Sequence, residues 1–294
     1  MERLIRSGDL TARLLYGYDA LEGLALLDDE SVDCIVTSPP YWGLRNYEDN
    51  DRQIGSEESP WEYIETMTEV FRNARRILKP SGTVWLNIGD SYATRSPNRN
   101  NTAGMFKDRN YDTIPAGKRS IPSGLKRKDL IGVPWRVALA LQEDGWWLRN
   151  DIIWNKPNPM PSPATDRCTV AHEYIFLLSK SDTYYFDADL IREPGPERAN
   201  ARTVWRLKPN SYHGGHFAVF PEELPERCIK AGARKGGTVL DLFSGSGTTG
   251  KAALRLGRNY IGIDVNESYL ELAERRVSLI HSDVIRNENQ LEMF

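Results

Sequence analysis

A glycine-rich turn close to the C-terminal end limits the folds that this sequence can adopt. Gly245, Gly247 and Gly250 follow the apolar run Thr238–Phe243 and open a helical pattern. Glycines at such a turn allow a ligand to approach the backbone, and the start of the next helix offers unpaired amide groups. The 47 residues after Gly247, in a chain of 294, are too few for the rest of a nucleotide-binding sheet. The remaining strands must therefore come from earlier in the chain.

Three ligands compete for this turn. A phosphate-binding loop requires Ser or Thr after the lysine of its motif, but Ala252 follows Lys251. A dinucleotide fits the glycines and Asp264, which ends the next predicted strand and suits the two hydroxyls of a ribose. S-Adenosylmethionine is favoured because of Asp241, in the predicted strand directly before the glycine turn. Its carboxylate is expected to face the ammonium group of this ligand rather than the core. The alternative is a tight strand–helix turn that binds nothing.

Strand and helix patterns alternate along the chain, which predicts one doubly wound α/β domain with insertions. Predicted strands are Val32–Thr37, Thr83–Ile88, Asp151–Trp154, Tyr174–Leu178, Thr238–Phe243 and Asn259–Asp264. A capping box at Ser59 begins a helix that ends before Lys79. Further predicted helices are Pro134–Glu143, Phe220–Ala231, Thr249–Leu256 and Asn266–Ile280.

A rigid loop of two prolines and two aromatic residues follows the buried strand Val32–Thr37 directly. Active sites of α/β proteins lie at the carboxyl ends of such strands. A planar amine can stack on Tyr41 and donate hydrogen bonds to the Ser38 hydroxyl and the Pro39 carbonyl. Trp42 is a further candidate for the wall of this pocket. The alternative is a proline turn with buried aromatic side chains.

The charge of the chain is unevenly distributed. The formal net charge is −3, but ten basic and three acidic residues lie between Ser91 and Arg136. Because this segment lacks apolar periodicity until about Leu130, it is either a solvated loop or a loop that binds a polyanion. The candidate binding residues are Arg95, Arg99, Lys107, Arg109, Lys118, Arg119, Lys126, Arg127 and Lys128.

Other patterns exclude several protein classes. Cys34, Cys168 and Cys228 are far apart and form no CxxC pair, so neither a disulfide framework nor a thiolate zinc site is supported. The four histidines show no ligand spacing, and no metal site is predicted. No apolar run approaches the ~20 residues of a membrane span, and no signal-peptide core is present. These features predict a cytoplasmic protein, in a bacterial or phage setting, without membrane association.

Several motifs, in their order along the chain, carry a resemblance to a known family. GYDAL (17–21) precedes TSPPYWG (37–43), and DLFSGSGTTG (241–250) follows near the C-terminus. With these motifs the chain resembles the amino-group DNA methyltransferases of the permuted β class, in which the catalytic motif precedes the glycine motif. Further similar segments, which extend the resemblance over nearly the whole chain, are LKPSGTVWLNIGD (78–90), DIIWNKPNPMP (151–161), HEYIFLLSK (172–180) and HFAVFPEEL (216–224).

The resemblance implies a fold, a cofactor and a substrate. The expected fold is a Rossmann-like α/β methyltransferase domain over residues 1–294, with a seven-stranded mixed sheet flanked by helices and a circularly permuted motif order. S-Adenosylmethionine would be the cofactor and double-stranded DNA the substrate, with the target base flipped out of the duplex. Residues 91–130 and 187–205 are the candidate recognition regions. A homodimer is expected because dimers occur in this class, and a cognate restriction endonuclease would be a separate chain.

The resemblance also assigns roles to individual residues. The catalytic loop would consist of Ser38, Pro39, Pro40 and Tyr41. The methionine part of the cofactor would contact Asp241, Phe243, Ser244, Gly245, Gly247 and Thr248. Asp264 would bind the ribose, Asp19 would lie near the adenine amine, and Phe220, Pro221 and Leu224 would complete the pocket.

Residue 38 favours the N4 amine of cytosine as the target. In this family, adenine enzymes usually carry Asp or Asn where this chain has Ser38, and SPP with an aromatic residue is typical of cytosine enzymes. Ser38 can accept from the amine and donate to the cytosine ring nitrogen. Cys34 is expected in the core, which argues against methylation at carbon 5 because that reaction requires a cysteine nucleophile. The alternatives are an adenine-N6 enzyme, an RNA or protein-glutamine methyltransferase, and an inactive DNA-binding module.

Overall fold

The computed structural model describes residues 1–43, 53–93, 121–193, 195, 199–209 and 220–278. Its strands are β1 Glu2–Ser7, β2 Leu10–Tyr16, β3 Val32–Thr37, β4 Leu78–Ile88, β5 Trp147–Asn155, β6 His172–Ser179, β7 Val204–Arg206, β8 Thr238–Asp241 and β9 Asn259–Asp264. Its helices are α1 Ala20–Ala25, α2 Pro60–Ile77, α3 Val133–Glu143, α4 Glu223–Gly232 and α5 Thr248–Arg255. Residues 270–278 are also helical. In these ranges no helix is both long and apolar enough to cross a membrane.

All of these strands form one mixed sheet in the order β1-β2-β9-β8-β3-β4-β6-β5-β7. The five consecutive strands from β2 to β4 are parallel, whereas β1 and β6 run antiparallel to their neighbours. The α/β class and the mixed sheet agree with the expectation, but the sheet has nine strands, rather than seven, in the part of the chain that the structure describes. The short strand β7 and the N-terminal hairpin of β1 and β2 were absent from the strand pattern that the sequence predicted.

The parallel strands bring the ends of two distant motifs together. β3 carries the catalytic loop and pairs with β8, which carries the glycine turn, through Cys34 opposite Val239 and Ile35 opposite Leu240. The other neighbour of β3 is β4. Because the carboxyl ends of parallel strands share one edge, the loops after β3, β4, β8 and β9 lie along the same edge of the sheet.

The helix α2 follows from its local sequence. The Ser59 hydroxyl accepts a hydrogen bond from the Glu62 amide, and the Glu62 carboxylate accepts one from the Ser59 amide, which completes the predicted capping box. The helix ends at Ile77, and β4 begins at Leu78, five residues before the predicted start. The additional residues are accommodated by a shift in the register between β3 and β4.

Apolar side chains cover both faces of the sheet. On one face, Met67 and Phe71 of α2 pack with Ile35 and Leu86. On the other face, Cys228 and Ile229 of α4 pack with Cys34. Cys34 is fully buried, which confirms the prediction that it belongs to the core.

The described part of residues 187–205, which stay a candidate recognition region, partly belongs to the sheet. This range includes a short 3-10 helix and the first two residues of β7, which pairs with β5. Trp205 is buried and stacks on Trp85 with a centroid distance of 6.2 Å. The C-terminal end of the range is therefore an edge strand with one core residue, Trp205.

Candidate active site

Two glycines in the turn after β8 have backbone conformations that favour glycine. Gly245 and Gly247 have φ angles of 49° and 80°, in the left-handed region. A Cβ atom at Gly247 would also lie 3.1 Å from Ala273, whereas no atom lies within 4 Å of the Cβ position of Gly245. The turn therefore has open space beside Gly245, where a ligand can approach the backbone.

Hydroxyl groups hold this turn from the core side. Ser244 is buried, and its hydroxyl lies 2.7 Å from the Tyr16 hydroxyl and 2.8 Å from that of Tyr260. Tyr16 also donates to the Gly245 carbonyl at 2.8 Å. Burial raises the pKa of both tyrosines well above its usual value, so that the phenols stay neutral. The Ser244 side chain thus supports the turn, and its backbone amide and carbonyl are paired with Ile263 and Gly247.

Asp241 is buried, with 1% of its surface exposed. Its carboxylate accepts hydrogen bonds from the Thr37 hydroxyl at 2.7 Å and the Thr249 hydroxyl at 2.6 Å, and from the Phe243 amide at 3.1 Å. Burial raises the pKa of Asp241 to about 6. The expectation that Asp241 stays out of the core was wrong, because its carboxylate joins β3, β8 and α5 inside the protein. Its contact with the cofactor stays a prediction.

Asp264 lies beside the glycine turn at the end of β9. Its carboxylate accepts from the Gly245 amide at 2.6 Å and from the Asn266 amide at 2.9 Å. Burial raises the pKa of Asp264 to about 6, with a smaller contribution from the nearby Asp241. Two carboxylates with raised pKa values at one turn favour a ligand that carries positive charge.

Asp19 lies close to Asp264 along the edge of the sheet. The Gly17 amide donates to the Asp264 carbonyl at 2.8 Å, and Asp19 follows as the N-cap of α1. Its carboxylate accepts from the Glu22 amide at 2.8 Å. The structure thus brings Asp19, Asp264 and the glycine turn together, as the predicted cofactor site requires.

The other residues predicted to contact the cofactor differ in their environment. Phe243 packs against the core, and the Thr248 hydroxyl accepts from Arg276 at 3.0 Å. Phe220 is partly exposed before α4 and Pro221 is buried. Leu224 is buried in the core on the α4 side of the sheet, and its part in the cofactor pocket stays a prediction.

Contacts from three parts of the chain fix the catalytic loop after β3. The Tyr63 hydroxyl of α2 donates to the Pro40 carbonyl at 3.0 Å. The Tyr41 ring lies against Gly89, where an added Cβ would be only 2.6 Å from the ring. Trp42 points into the core and donates its indole N–H to the Glu57 carbonyl at 3.1 Å. Trp42 therefore stabilises the loop and is not the pocket wall that the sequence suggested.

The Ser38 and Tyr41 hydroxyls face polar groups of β4 and β6. The Ser38 hydroxyl donates to Asn87 Oδ1 at 3.3 Å and lies 3.4 Å from the Tyr41 hydroxyl. Tyr41 donates to Glu173 Oε2 at 2.5 Å. Because the Ser38 proton points toward Asn87, its oxygen is arranged to accept a hydrogen bond. The expectation that Ser38 also donates to a cytosine ring nitrogen stays a prediction.

Three of the nine predicted DNA-binding residues fall within the described ranges. Lys126, Arg127 and Lys128 are exposed on a turn that is joined by backbone hydrogen bonds to residues 91–93, just after β4. Lys126 pairs with Asp129 and Lys128 with Asp166, so part of the positive charge is neutralised locally. The other six lie outside the described residues: Arg95, Arg99, Lys107, Arg109, Lys118 and Arg119.

Comparison with known proteins assigns the family. The sequence model of the DNA methylase family N6_N4_Mtase matches residues 32–275, which include both the catalytic loop and the glycine turn. This chain belongs to the N6/N4 DNA methylase family. The resemblance identified from the motifs is thereby confirmed.

Curated relatives of this methylase are similar over nearly their whole length. The type II methyltransferase M.SmaI of Serratia marcescens is 49% identical, over 94% of this chain and 94% of the relative. The type II methyltransferase M.Cfr9I of Citrobacter freundii is 44% identical, over 97% of this chain and 95% of the relative. The methylase is therefore similar to modification enzymes of type II restriction systems.

Solved structures confirm the fold of the methylase. The PvuII DNA methyltransferase (cytosine-N4-specific) has a TM-score of 0.67 at 20% identity, and 94% of this chain and 93% of that one are covered. A candidate DNA modification methylase from Thermus thermophilus, complexed with S-adenosyl-L-methionine, has a TM-score of 0.61 at 26% identity, over 90% and 92% of the chains. The complex confirms S-adenosylmethionine as the cofactor of this group of proteins.

Several polar residues of the methylase site were missed by the sequence analysis. Asn87 and Glu173 contact the catalytic loop, and Arg276 donates to the Ser246 and Thr248 hydroxyls at the glycine turn. Asn87 and Glu173 lie in otherwise apolar strand patterns, within segments already quoted for the family resemblance. A polar residue at the end of an apolar strand was the signal that could have identified them.

Proposed function

We propose that this methylase transfers a methyl group from S-adenosylmethionine to the exocyclic N4 amine of a flipped cytosine in duplex DNA. The observation that carries the proposal is Ser38, a neutral hydroxyl at the carboxyl end of β3 beside the Tyr41 ring. The family resemblance associates serine at this position with cytosine enzymes. An acidic or amide side chain there would be typical of adenine enzymes.

The glycine turn and its two carboxylates fit the proposed cofactor. Open space at Gly245 allows the backbone to approach a ligand. Asp241 and Asp264 have hydroxyl or amide partners but no lysine or arginine in contact, among the residues that the structure describes. A sulfonium and an ammonium group would supply the missing positive charge. Asp264 would also accept from the ribose hydroxyls, and Asp19 would lie near the adenine.

The residues of the catalytic loop have distinct roles in this proposal. When bound, the cofactor supplies a methyl group made electrophilic by its sulfonium. Ser38 Oγ and the Pro39 carbonyl accept hydrogen bonds from the target amine, which directs the nitrogen lone pair toward that methyl group. Tyr41 stacks on the base, and Pro40 keeps the loop rigid. Holding the amine in line in this way lowers the barrier without a covalent enzyme intermediate.

The basic turn that carries Lys126, Arg127 and Lys128 would contact the phosphate backbone. Its attachment after β4 places it at the edge of the sheet that also carries the catalytic loop. Phosphate contacts position a protein on DNA but do not read the sequence. We propose phosphate contacts also for the six basic residues from Arg95 to Arg119, so that the proposed DNA-binding segment is residues 91–130.

The type II relatives support a role in a bacterial restriction–modification system. In this role the methylase would act in the cytoplasm as a separate chain from its cognate endonuclease, and would protect the host sites from cleavage. By resemblance to its class, we also propose a homodimer. Sedimentation of the purified protein, with and without duplex DNA, would measure this oligomeric state.

The experiment that tests the proposal identifies the methylated base. Mixed-sequence duplex DNA is incubated with the protein and S-adenosylmethionine, digested to nucleosides and analysed by mass spectrometry, with single-stranded DNA of the same sequence as the control. N4-methylcytosine in the duplex sample is the expected product. If methyladenine is the only methylated nucleoside, the target base is adenine rather than cytosine, and the family assignment still holds. No methylated base would contradict the catalytic proposal.

A further inference from the structure

A largely buried polar cluster lies directly behind the proposed catalytic loop. It consists of Asn87 at the end of β4, Glu173 at the start of β6 and Lys156 just after β5. Glu173 Oε2 accepts from the Tyr41 hydroxyl at 2.5 Å and from Asn87 Nδ2 at 3.1 Å. Glu173 Oε1 forms an ion pair with Lys156. One carboxylate thus links three strands to the aromatic residue of the loop.

The partners of Asn87 determine the orientation of its amide. Its Nδ2 has two acceptors, Glu173 Oε2 and the Tyr174 carbonyl, each at 3.1 Å. Its Oδ1 therefore faces the opposite way, toward the Ser38 and Tyr41 hydroxyls, both at 3.3 Å. Only 2% of the Asn87 surface is exposed, so water cannot easily replace these partners. Reversing the amide would place its oxygen against the Glu173 carboxylate and the Tyr174 carbonyl, so that acceptor would face acceptor.

The protons of the two hydroxyls follow from these contacts. Burial, followed by the effect of the Glu173 carboxylate, raises the pKa of Tyr41 well above its usual value, so Tyr41 keeps its proton. That proton points to Glu173 Oε2, which is the nearest acceptor. The Asn87 carbonyl is then free to accept the proton of Ser38, and the remaining lone pairs of Ser38 Oγ are left for a donor from outside the protein.

The charges of the cluster are balanced within the protein. The side chains of Glu173 and Lys156 are 14% and 23% exposed. The Lys156 ammonium also lies 4.4 Å from the centroid of the Trp154 ring, which holds it in place. A buried carboxylate without such a counter-charge would be costly. The pair therefore keeps a strong acceptor at the back of the catalytic loop.

We propose that Glu173, held by Lys156 and acting through Asn87 and Tyr41, is a positioning residue that makes Ser38 a hydrogen-bond acceptor for the target amine. This inference rests on the proposed role of the loop, but not on the choice between cytosine and adenine. Glu173 does not touch the substrate in this account. Its effect is to fix the direction of the Ser38 proton and the position of the Tyr41 ring.

The expected effect is on the rate of methyl transfer and not on binding. In Glu173→Leu, kcat is expected to fall about 100-fold, the loss typical of a misaligned reacting group. The KM for DNA and the Kd for S-adenosylmethionine should stay within about threefold of wild type. Glu173→Gln keeps one oxygen for Tyr41 and Asn87, and should recover kcat to within about tenfold of wild type.

A double substitution keeps the test valid if Glu173→Leu does not fold. Lys156→Met/Glu173→Leu removes both charges and leaves none unpaired in the interior. It should show the same loss of kcat with an unchanged melting temperature. Asn87→Ala should give a similar loss, and combining it with Glu173→Leu should cost at least tenfold less than the product of the two separate losses.

The control is Asp33→Asn, which alters a comparable carboxylate–lysine pair with Lys79 at the opposite end of β3. Its kcat should match wild type. A kcat within threefold of wild type in a folded Glu173 variant, or independent effects of Glu173 and Asn87, would overturn the inference. Ser38→Ala and Tyr41→Ala are measured in parallel. If they also keep full activity, the proposed role of the loop fails as well; if they are inactive, only the role of Glu173 fails.

Discussion

The Thr37 hydroxyl donates a 2.7 Å hydrogen bond to the Asp241 carboxylate, across 204 positions of sequence. Thr37 is the last residue of β3, directly before the catalytic loop, and Asp241 is the last residue of β8, directly before the glycine turn. This contact fixes the distance between the proposed amine site and the proposed cofactor site. Because Asp241 also accepts from Thr249 of α5, the two sites share one buried carboxylate.

Asp241→Asn is expected to stabilise the ligand-free protein at neutral pH and to weaken the binding of S-adenosylmethionine. The pKa of Asp241 is raised to about 6 in the folded state, above about 3.8 for an unfolded chain. The stability that this group contributes is present below pH 4 and is lost as the pH rises through 6. The free energy of unfolding of the variant, relative to wild type, should thus rise by about 3 kcal/mol between pH 4 and pH 8.

Chemical denaturation at several pH values measures this difference, and calorimetry measures the cofactor affinity. Asp241→Ala should bind S-adenosylmethionine weakly and should also be less stable than wild type. The loss of stability is expected because the Thr37 and Thr249 hydroxyls lose their acceptor. Equal stability of the wild type and Asp241→Asn at all pH values would contradict the prediction. Asp33→Asn, with its ion pair to Lys79, should lower the stability at pH 8 rather than raise it.

The affinity for S-adenosylmethionine is expected to fall when the pH drops below about 6. The pKa of Asp264 is about 6, and its ionised form is the one that accepts hydrogen bonds from ribose hydroxyls and attracts a cationic ligand. Each pH unit below this value lowers the ionised fraction about tenfold. Calorimetric titrations between pH 5 and pH 8 measure the effect. Asp264→Asn should bind weakly with a flatter pH profile, and a constant Kd for the wild type would contradict this prediction.

The sequence predicted the parts of the fold whose patterns are local. The apolar run of β3, the capping box of α2 and the glycine turn after β8 each have a signal within about ten residues. The sequence also contained a signal for the N-terminal hairpin, which was not used. Gly8 and Asp9, between β1 and β2, are typical residues of a two-residue hairpin turn. The contact between Tyr41 and Glu173 could not be predicted in this way, since it depends on the register of β4, β6 and β5.

Neutralising the basic turn is expected to weaken DNA binding and its dependence on salt. Lys126, Arg127 and Lys128 are exposed at the edge of the sheet that also carries the catalytic loop. Each phosphate contact that is lost lowers the magnitude of the slope of log affinity against log salt by about 0.9. The triple substitution to glutamine should lower the magnitude of the slope by at most about 2.7. Because Lys126 and Lys128 have acidic partners, the measured change should be smaller than this limit.

A charge-matched control distinguishes phosphate contacts from a general effect of net charge. Arg72, Lys230 and Lys235 lie toward the C-terminal ends of α2 and α4, away from the catalytic loop. Replacing these three residues with glutamine removes the same charge and should leave the slope unchanged. Fluorescence anisotropy with a labelled duplex at several salt concentrations measures both variants. Equal slopes for the two triple variants would show that the basic turn does not contact DNA.

Ser38→Ala is expected to lower kcat by about 100- to 1000-fold, the loss found when one oriented polar group is removed from an active site. The structure directs the Ser38 proton to Asn87, so the alanine variant loses an acceptor for the target amine and no contact with the cofactor site. The Kd for S-adenosylmethionine should therefore stay at the wild-type value. Single-turnover transfer of a labelled methyl group to duplex DNA measures the rate.

Ser181→Ala, at the opposite end of β6, removes a hydroxyl that contacts only backbone carbonyls and should keep the wild-type rate. A Ser38→Ala rate equal to that of this control would show that Ser38 is not part of the amine site.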